Sequence, residues 1–139
     1  MGPGDRELFP AMAGGFSRPD AVPAPVPEAH FGRAFAEPVR SEEFARCCLS
    51  EDAGEAAGYA LLRRAFSQEA GGFVVWVEEL CVRPASRGRG LGSGFLGWLP
   101  GRLPAALCRL KREPENARAA ELSRRWGCRE LPCRQMARD

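Results

Sequence analysis

A glycine-rich segment between two apolar segments is the feature that most restricts how this chain can fold. The run CVRPASRGRGLGSGFLGWL, residues 81–99, starts at the end of a β-branched stretch and finishes in an apolar one. This pattern predicts a buried strand, a flexible bend and a helix in direct succession. The bend, RGRGLG at 87–92, is typical either of a loop that wraps an anion or of a flexible surface turn.

The anion-binding interpretation has a physical basis. Backbone N–H groups at a helix start are unpaired, and glycines let several of them converge on one oxyanion. Gly90 and Gly92 would let the backbone approach a phosphate, while Arg87 and Arg89 would add positive charge. A P-loop needs a lysine after its glycines, and a dinucleotide fingerprint needs its first glycine directly at the strand end, so neither matches. An RNA-binding arginine–glycine tract is usually a longer, disordered repeat.

The composition is that of one globular domain covering residues 1–139, with 45% apolar and 27% charged residues. A net charge of +2 gives no general attraction to nucleic acid, and no apolar run is long enough for a membrane span. We therefore expect neither as a partner. The six cysteines lack zinc-site spacing, so no metal is expected. The N-terminus lacks a signal peptide's apolar core, which predicts a cytoplasmic protein with reduced thiols.

Apolar periodicity predicts an α/β chain of the α+β type, with a mixed and mostly antiparallel central sheet flanked by helices. The predicted strands are residues 43–50, 56–67, 71–84, 105–110 and 128–137. The predicted helices are residues 5–13, 28–37, 90–99 and 114–127. Pro38 and Pro100 are expected to end the helices before them, and residues 17–27 read as a proline-rich connector.

Two motifs occur in order along the chain. The segment EELCVRPASRGRGLG, residues 78–92, is a strand followed by an [RQ]-x-x-G-x-[GA] loop, whose fixed places are filled by Arg87, Gly90 and Gly92. The segment NARAAELSRRWGC, residues 116–128, follows the pattern N-x-x-A-x-x-L-Y-x-x-x-G-F at Asn116, Ala119, Leu122 and Gly127. Together they resemble the GNAT N-acetyltransferase superfamily, over residues 40–139.

The resemblance implies direct acetyl transfer from acetyl-CoA to a primary amine of a small molecule or peptide. In that fold the coenzyme lies between two parallel strands that separate. Its pantetheine arm would bond the backbone of Leu80, Cys81 and Val82. Its pyrophosphate would lie on the loop and first helical turn, formed here by Arg87, Gly88, Arg89, Gly90, Leu91, Gly92 and Ser93. Asn116 would approach the pantetheine, and Ser123 takes the place of the motif's tyrosine.

Two glutamates are the candidate catalytic residues. An amine with a pKa of about 10 must lose a proton before it attacks, and a carboxylate can accept that proton. Glu78 and Glu79 lie on the strand beside the expected thioester, and strand alternation predicts that they point to opposite faces. Similarity to polyamine acetyltransferases favours Glu78 as the base. The alternative is that both are solvated or paired with arginines.

The chain departs from the superfamily pattern in several places. Ser123 stands where a tyrosine donates a proton to the departing thiolate, and the one tyrosine, Tyr59, lies in an earlier strand. We therefore expect a slow or acid-independent enzyme. Cys128 replaces a phenylalanine, and the opening strand of the fold is expected to be missing. These departures leave a second hypothesis open, a degenerate acyl-CoA-binding or interaction protein with little turnover.

The acceptor has no readable motif. The acidic residues Glu37, Glu42 and Glu43 would attract a cationic amine, or would simply form a solvated surface. The three tryptophans are expected in the core. The oligomeric state is open between a monomer and a homodimer.

Overall fold

The computed structural model describes residues 43–112 and 114–132, together with residues 30, 33, 36–38, 40 and 41. The predicted helix at 5–13, the connector at 17–27 and the expected loss of an opening strand lie outside the described residues. The helix expected to close before Pro38 extends further, since Pro38 and Arg40 are helical. A hydrogen bond of 3.0 Å from the Ser41 amide to the Glu37 carbonyl closes the turn beyond the proline.

Four strands form one mixed sheet in the order β1-β2-β3-β4. They are β1 (Ala45–Asp52), β2 (Glu55–Ser67), β3 (Gly72–Val82) and β4 (Leu107–Leu110). The pairs β1–β2 and β2–β3 are antiparallel, whereas β3 and β4 are parallel. The predicted mixed, mostly antiparallel sheet is confirmed.

The strand predicted at 128–137 is not found over residues 128–132, and its remaining residues lie outside the described part of the chain. Pro132 has no amide hydrogen for a sheet ladder, which disfavours a strand at this point.

Two helices follow β3, α1 (Leu91–Arg102) and α2 (Ala117–Arg125). The expectation that Pro100 ends α1 is wrong, because a proline in the last turn removes only the bond of its own nitrogen. The Leu103 amide still bonds the Leu99 carbonyl at 2.9 Å. α2 starts later than predicted, since the Asn116 side chain caps it by accepting a 2.9 Å hydrogen bond from the Ala119 amide. Within the described residues, no helix has the length and apolarity needed to cross a bilayer.

Both helices pack on one face of the sheet. The core on that face consists of Ala60, Leu62, Val75, Val77, Leu96 and Leu99, with Leu80, Leu122 and Trp126 partly buried against it. Of the three tryptophans, only Trp126 packs there. Trp98 is 44% exposed on α1, and Trp76 lies on the opposite face of the sheet. The opposite face carries the polar residues described below.

Two irregularities of β3 shape the sheet. Leu61 pairs with Glu79 and Leu62 pairs with Val77, so Glu78 is an extra residue that forms a β-bulge. The parallel pairing of β3 with β4 ends at Val77 and Leu110, while β3 continues to Val82. The sheet is therefore split on one side of β3, immediately after the bulge.

Candidate active site

The open edge of β3 is the first part of the site. The Arg83 amide donates to the Ala57 carbonyl at 2.8 Å, which turns Arg83 towards β2. Because backbone groups alternate along a strand, Leu80 and Val82 direct theirs away from β2, into the split. Cys81 directs its backbone groups at β2, so of the three residues expected to bond pantetheine, only Leu80 and Val82 offer free-edge groups.

Gly58 on β2 holds this arrangement, and sequence reasoning missed it. A Cβ at Gly58 would lie 2.3 Å from the Cys81 carbonyl oxygen and 2.8 Å from Ser50 Oγ. Only a glycine lets β2 approach β3 this closely. The alternation of apolar and polar residues along β2 could not reveal this need for glycine. The atoms that a Cβ would meet belong to residues distant in sequence.

The loop after β3 forms the second part. Gly88 and Gly90 have φ angles of 79° and 81°, in the left-handed region that favours glycine. Gly90 is the N-cap of α1, so the amides of Leu91, Gly92 and Ser93 form the first helical turn and lack intrahelical acceptors. A Cβ at Gly88 or Gly90 would meet no described atom within 4 Å, so the space outside the loop is open. The predicted anion-binding cradle has the required backbone form.

The two arginines of the loop have structural partners. Arg87 Nε donates to the Val82 carbonyl oxygen at 2.9 Å and ties the loop to the end of β3. Arg89 forms an ion pair with Asp52, at the end of β1. Asp52 was not a sequence candidate, because nothing local indicates that its hairpin reaches the loop. The arginines shape the loop as well as supplying charge.

Gly92 also lies at the contact between the two helices. A Cβ at this position would lie 3.1 Å from Leu122 Cδ2, on α2. Its small size allows α1 and α2 to pack closely beneath the loop.

The second motif is mostly engaged within its own helix. Asn116 Oδ1 caps α2, which leaves its amide nitrogen as the group that could donate to a ligand. Ser123 is buried, and its hydroxyl donates to the Ala119 carbonyl at 2.7 Å. Ser123 therefore faces backbone of its own helix, and its hydroxyl is not directed at a reacting group.

Glu78 and Glu79 face the same side of the sheet, contrary to the expected alternation. Glu79 Oε2 accepts a 2.6 Å hydrogen bond from Tyr59 Oη, and Glu78 Oε1 accepts a 2.8 Å hydrogen bond from Arg63 Nε. Tyr59 and Arg63 are an even number of residues apart on β2 and therefore share a face. The bulge at Glu78 removes the alternation, because one extra residue shifts the side-chain phase of β3.

The two carboxylates have unequal surroundings. Both Glu78 oxygens contact cations, with Lys111 Nζ 3.4 Å from Oε2 in addition to Arg63. Arg63, Lys111 and Arg109 also lie 5.1, 5.3 and 5.4 Å from the centroid of the Trp76 ring. From the sequence Trp76 is expected in the core, and none of the three cations is a site candidate, since these residues meet only when the strands pair.

Comparison with known proteins decides the family. A family model described as "Acetyltransferase (GNAT) family" matches residues 16–128. The chain belongs to the GNAT acetyltransferase family. No curated protein matches it in sequence.

Solved structures have the same GNAT fold. A possible acetyltransferase from Clostridium difficile 630 superposes with a TM-score of 0.82 at 11% identity, covering 98% of this chain and 91% of the other. An integron cassette protein from the mobile metagenome of Cole Harbour Salt Marsh gives 0.81 at 23% identity, covering 98% and 85%. The aminoglycoside N-acetyltransferase AAC(6')-Iy in complex with CoA gives 0.76 at 17% identity, covering 100% and 91%.

In this GNAT chain two further titratable groups near the split, Cys81 and Tyr59, are held in their protonated, neutral forms. Burial raises the pKa of the Cys81 thiol, and Arg87 offsets this only in part. Burial, and then the hydrogen bond to Glu79, raise the pKa of Tyr59 well above its usual range. Cys81 is therefore a poor nucleophile and Tyr59 a weak acid.

Of the acidic residues considered for attracting a cationic acceptor, Glu37 pairs with Arg40 at 2.7 Å, and Glu42 lies outside the described residues.

Proposed function

We propose that this protein is an acetyl-CoA-dependent N-acetyltransferase that transfers acetyl directly to a primary amine. The observation that carries the proposal is the position of the bulge. It turns two carboxylates to one face where β3 separates from β4, with a phosphate-type cradle at the other end of the same edge. Among GNAT proteins acetyl-CoA supplies the acetyl group as a thioester.

The chain's own groups suit that coenzyme. The free-edge amide and carbonyl of Leu80 and the free-edge amide of Val82 can bond an extended amide-containing arm, as an added strand would, while the Val82 carbonyl already accepts a hydrogen bond from Arg87. The amides of Leu91–Ser93 point at the place where a diphosphate would lie, and the helix dipole favours negative charge there. Asn116 can donate from its amide nitrogen.

Proton removal is assigned to Glu79 in preference to Glu78. Both oxygens of Glu78 are occupied by cations, whereas Glu79 has one oxygen on Tyr59 and its Oε1 without a hydrogen-bond partner among the described residues. That oxygen can accept a proton from the amine, directly or through a water. This reverses the sequence-based preference for Glu78.

The departing thiolate receives no proton from this chain in the proposal. Ser123 donates to Ala119, and the Tyr59 hydroxyl is held on Glu79. A thiol with a pKa of about 8.5 leaves tolerably as its anion, so turnover is expected to be slow but not abolished.

The test is a thiol-release assay with acetyl-CoA and a panel of primary amines. The Glu79→Gln variant should lower kcat by about 100-fold, the low end of what one general base contributes. Glu78→Gln should lower it much less, and Glu130→Gln, an exposed carboxylate on Arg112, serves as the control. Equal effects of Glu78→Gln and Glu79→Gln would contradict the assignment.

A second candidate function is coenzyme binding without turnover, which the engaged Ser123 hydroxyl favours. Calorimetry with acetyl-CoA beside the same assay separates the two. Binding without thiol release on any amine would support the second candidate.

Residues 1–139 are proposed to act as one domain in the cytoplasm. The thiols of Cys81, Cys108 and Cys128 support a reducing compartment.

A further inference from the structure

We infer that the acceptor is a primary amine that also carries a carboxylate or a similar anion. The inference rests on the proposed function, because it takes the reacting amine to lie at the Glu78–Glu79 pair. It names a substrate class that the family alone does not give. The feature that carries it is the set of three cations around Trp76, here called the Trp76 cluster: Arg63, Arg109 and Lys111.

The Trp76 cluster concentrates like charge. Its three cationic groups lie 5.1 to 5.4 Å from one ring centroid. Each is attracted to the ring face, but they repel one another and need counter-charge. Glu78 contacts two of them, Arg63 and Lys111, but its single negative charge offsets only one unit of positive charge.

Arg109 is the member without a good counter-ion. Its contact with Glu69 is 3.6 Å, and the Glu69 side chain is 88% exposed, so solvent screens that pair. Arg109 Nε is buried and has no hydrogen-bond acceptor among the described residues. A buried N–H without an acceptor is costly, so the guanidinium gains little from the protein. The Arg109 side chain is 24% exposed, so a ligand carboxylate can reach the accessible part of the guanidinium and form a charge-assisted bond.

The position of Arg109 relates this charge to the reaction. Arg109 pairs with Trp76, one residue before the last parallel pair, Val77 and Leu110. Glu78 is two residues beyond Trp76, about 7 Å along the strand. An anion on Arg109 and an amine at the glutamate pair therefore suit one small molecule with both groups.

The same charges disfavour a polycation. An acceptor with a second ammonium group would place it beside Arg109 and Lys111, where like charges repel. The expected acceptor therefore differs from an aminoglycoside, the substrate given in the name of one structural neighbour.

The experiment compares three five-carbon amines. These are 5-aminopentanoate, pentylamine and 1,5-diaminopentane, which have an anion, a methyl group or a second cation at the far end. Their binding to the CoA-saturated protein is measured by ligand-observed NMR titration, and thiol release is measured separately with acetyl-CoA. We expect 5-aminopentanoate to bind about tenfold more tightly than pentylamine, the value of one charge-assisted hydrogen bond, with 1,5-diaminopentane weakest.

Variants of Arg109 then locate the effect. Arg109→Gln should remove the tenfold preference and leave pentylamine affinity unchanged, whereas Arg109→Lys should keep part of it because the charge remains. Arg102→Gln is the matched control, since Arg102 lies 6.0 Å from the Trp98 ring on the other face. Circular dichroism checks that each variant is folded, and on the wild-type protein the preference should fall with added salt.

Two results would overturn the inference. One is tighter binding of pentylamine or 1,5-diaminopentane than of 5-aminopentanoate by the wild-type protein. The other is an unchanged preference in Arg109→Gln. Binding preference without thiol release would support the anion site and contradict the proposed function, so the two failures are distinguishable.

Discussion

At the scale of single residues, Glu78 and Glu79 show how neighbours acquire different roles. Glu78 lies between two cations, while Glu79 is held by one neutral hydroxyl from a tyrosine that is 1% exposed. Burial keeps Tyr59 protonated, so it is a permanent hydrogen-bond donor to the carboxylate. In the proposed reaction Tyr59 is therefore a positioning residue for Glu79.

Replacing Tyr59 with phenylalanine tests this role. The Glu79 carboxylate loses its donor, so we expect a loss of about 1 kcal/mol in the free energy of unfolding, measured by urea titration. Thiol release should fall in kcat with little change in KM, because the hydrogen bond that orients the proposed base is lost. If Tyr59 were only structural, the variant would be less stable, but the kcat of the folded protein would not change.

Cys108 gives a pH prediction. Burial, followed by the charge of Cys128, raises the pKa of its thiol from 9.0 to about 11. The folded state therefore favours the protonated thiol, so this stabilisation is complete below pH 9 and is lost as the pH rises through about 11. Urea midpoints should fall over this window, and less steeply in Cys108→Ala. Parallel curves for the two proteins would contradict the assignment.

At the scale of elements, local patterns predict the strand, the glycine bend and both helices. Three hairpin strands and the loop occupy nearly the expected residues, because periodicity and glycine placement are local properties. The bulge at Glu78 could not be predicted, since it is a mismatch in register between β2 and β3. The contacts of Asp52 with Arg89 and of Tyr59 with Glu79 could not be predicted either, because only the pairing of the strands brings these residues together.

The contact between α1 and α2 gives a prediction at this scale. Gly92→Ala should destabilise the protein by about 1 kcal/mol, because its Cβ would lie 3.1 Å from Leu122 Cδ2 and overpack the helices. Gly94→Ala is the matched control on the same helix, where a Cβ meets no described atom within 4 Å. Removing that glycine should stabilise by about 0.5–1 kcal/mol. Thermal unfolding of both variants measures the difference, and equal shifts would contradict the packing role of Gly92.

At the scale of the whole molecule, the two motifs of the sequence meet where α1 and α2 pack together on one face of the sheet. The loop begins at the end of β3, and α2 packs under α1 through Gly92 and Leu122. The resemblance predicted this fold because the spacing of the motifs fixes a strand–helix–strand–helix order. It could not predict the charge of the proposed acceptor side, since the Trp76 cluster comes from β2, β4 and the segment after β4.

In the proposed complex the loop amides bind the diphosphate of the coenzyme while β3 binds its pantetheine arm. Calorimetric titration with CoA and with pantetheine, which lacks the diphosphate, separates the two contributions. We expect micromolar binding of CoA, and for pantetheine an affinity lower by about 100-fold or more, because several charge-assisted hydrogen bonds are lost. No heat with CoA, or equal affinity for the two ligands, would contradict this proposal.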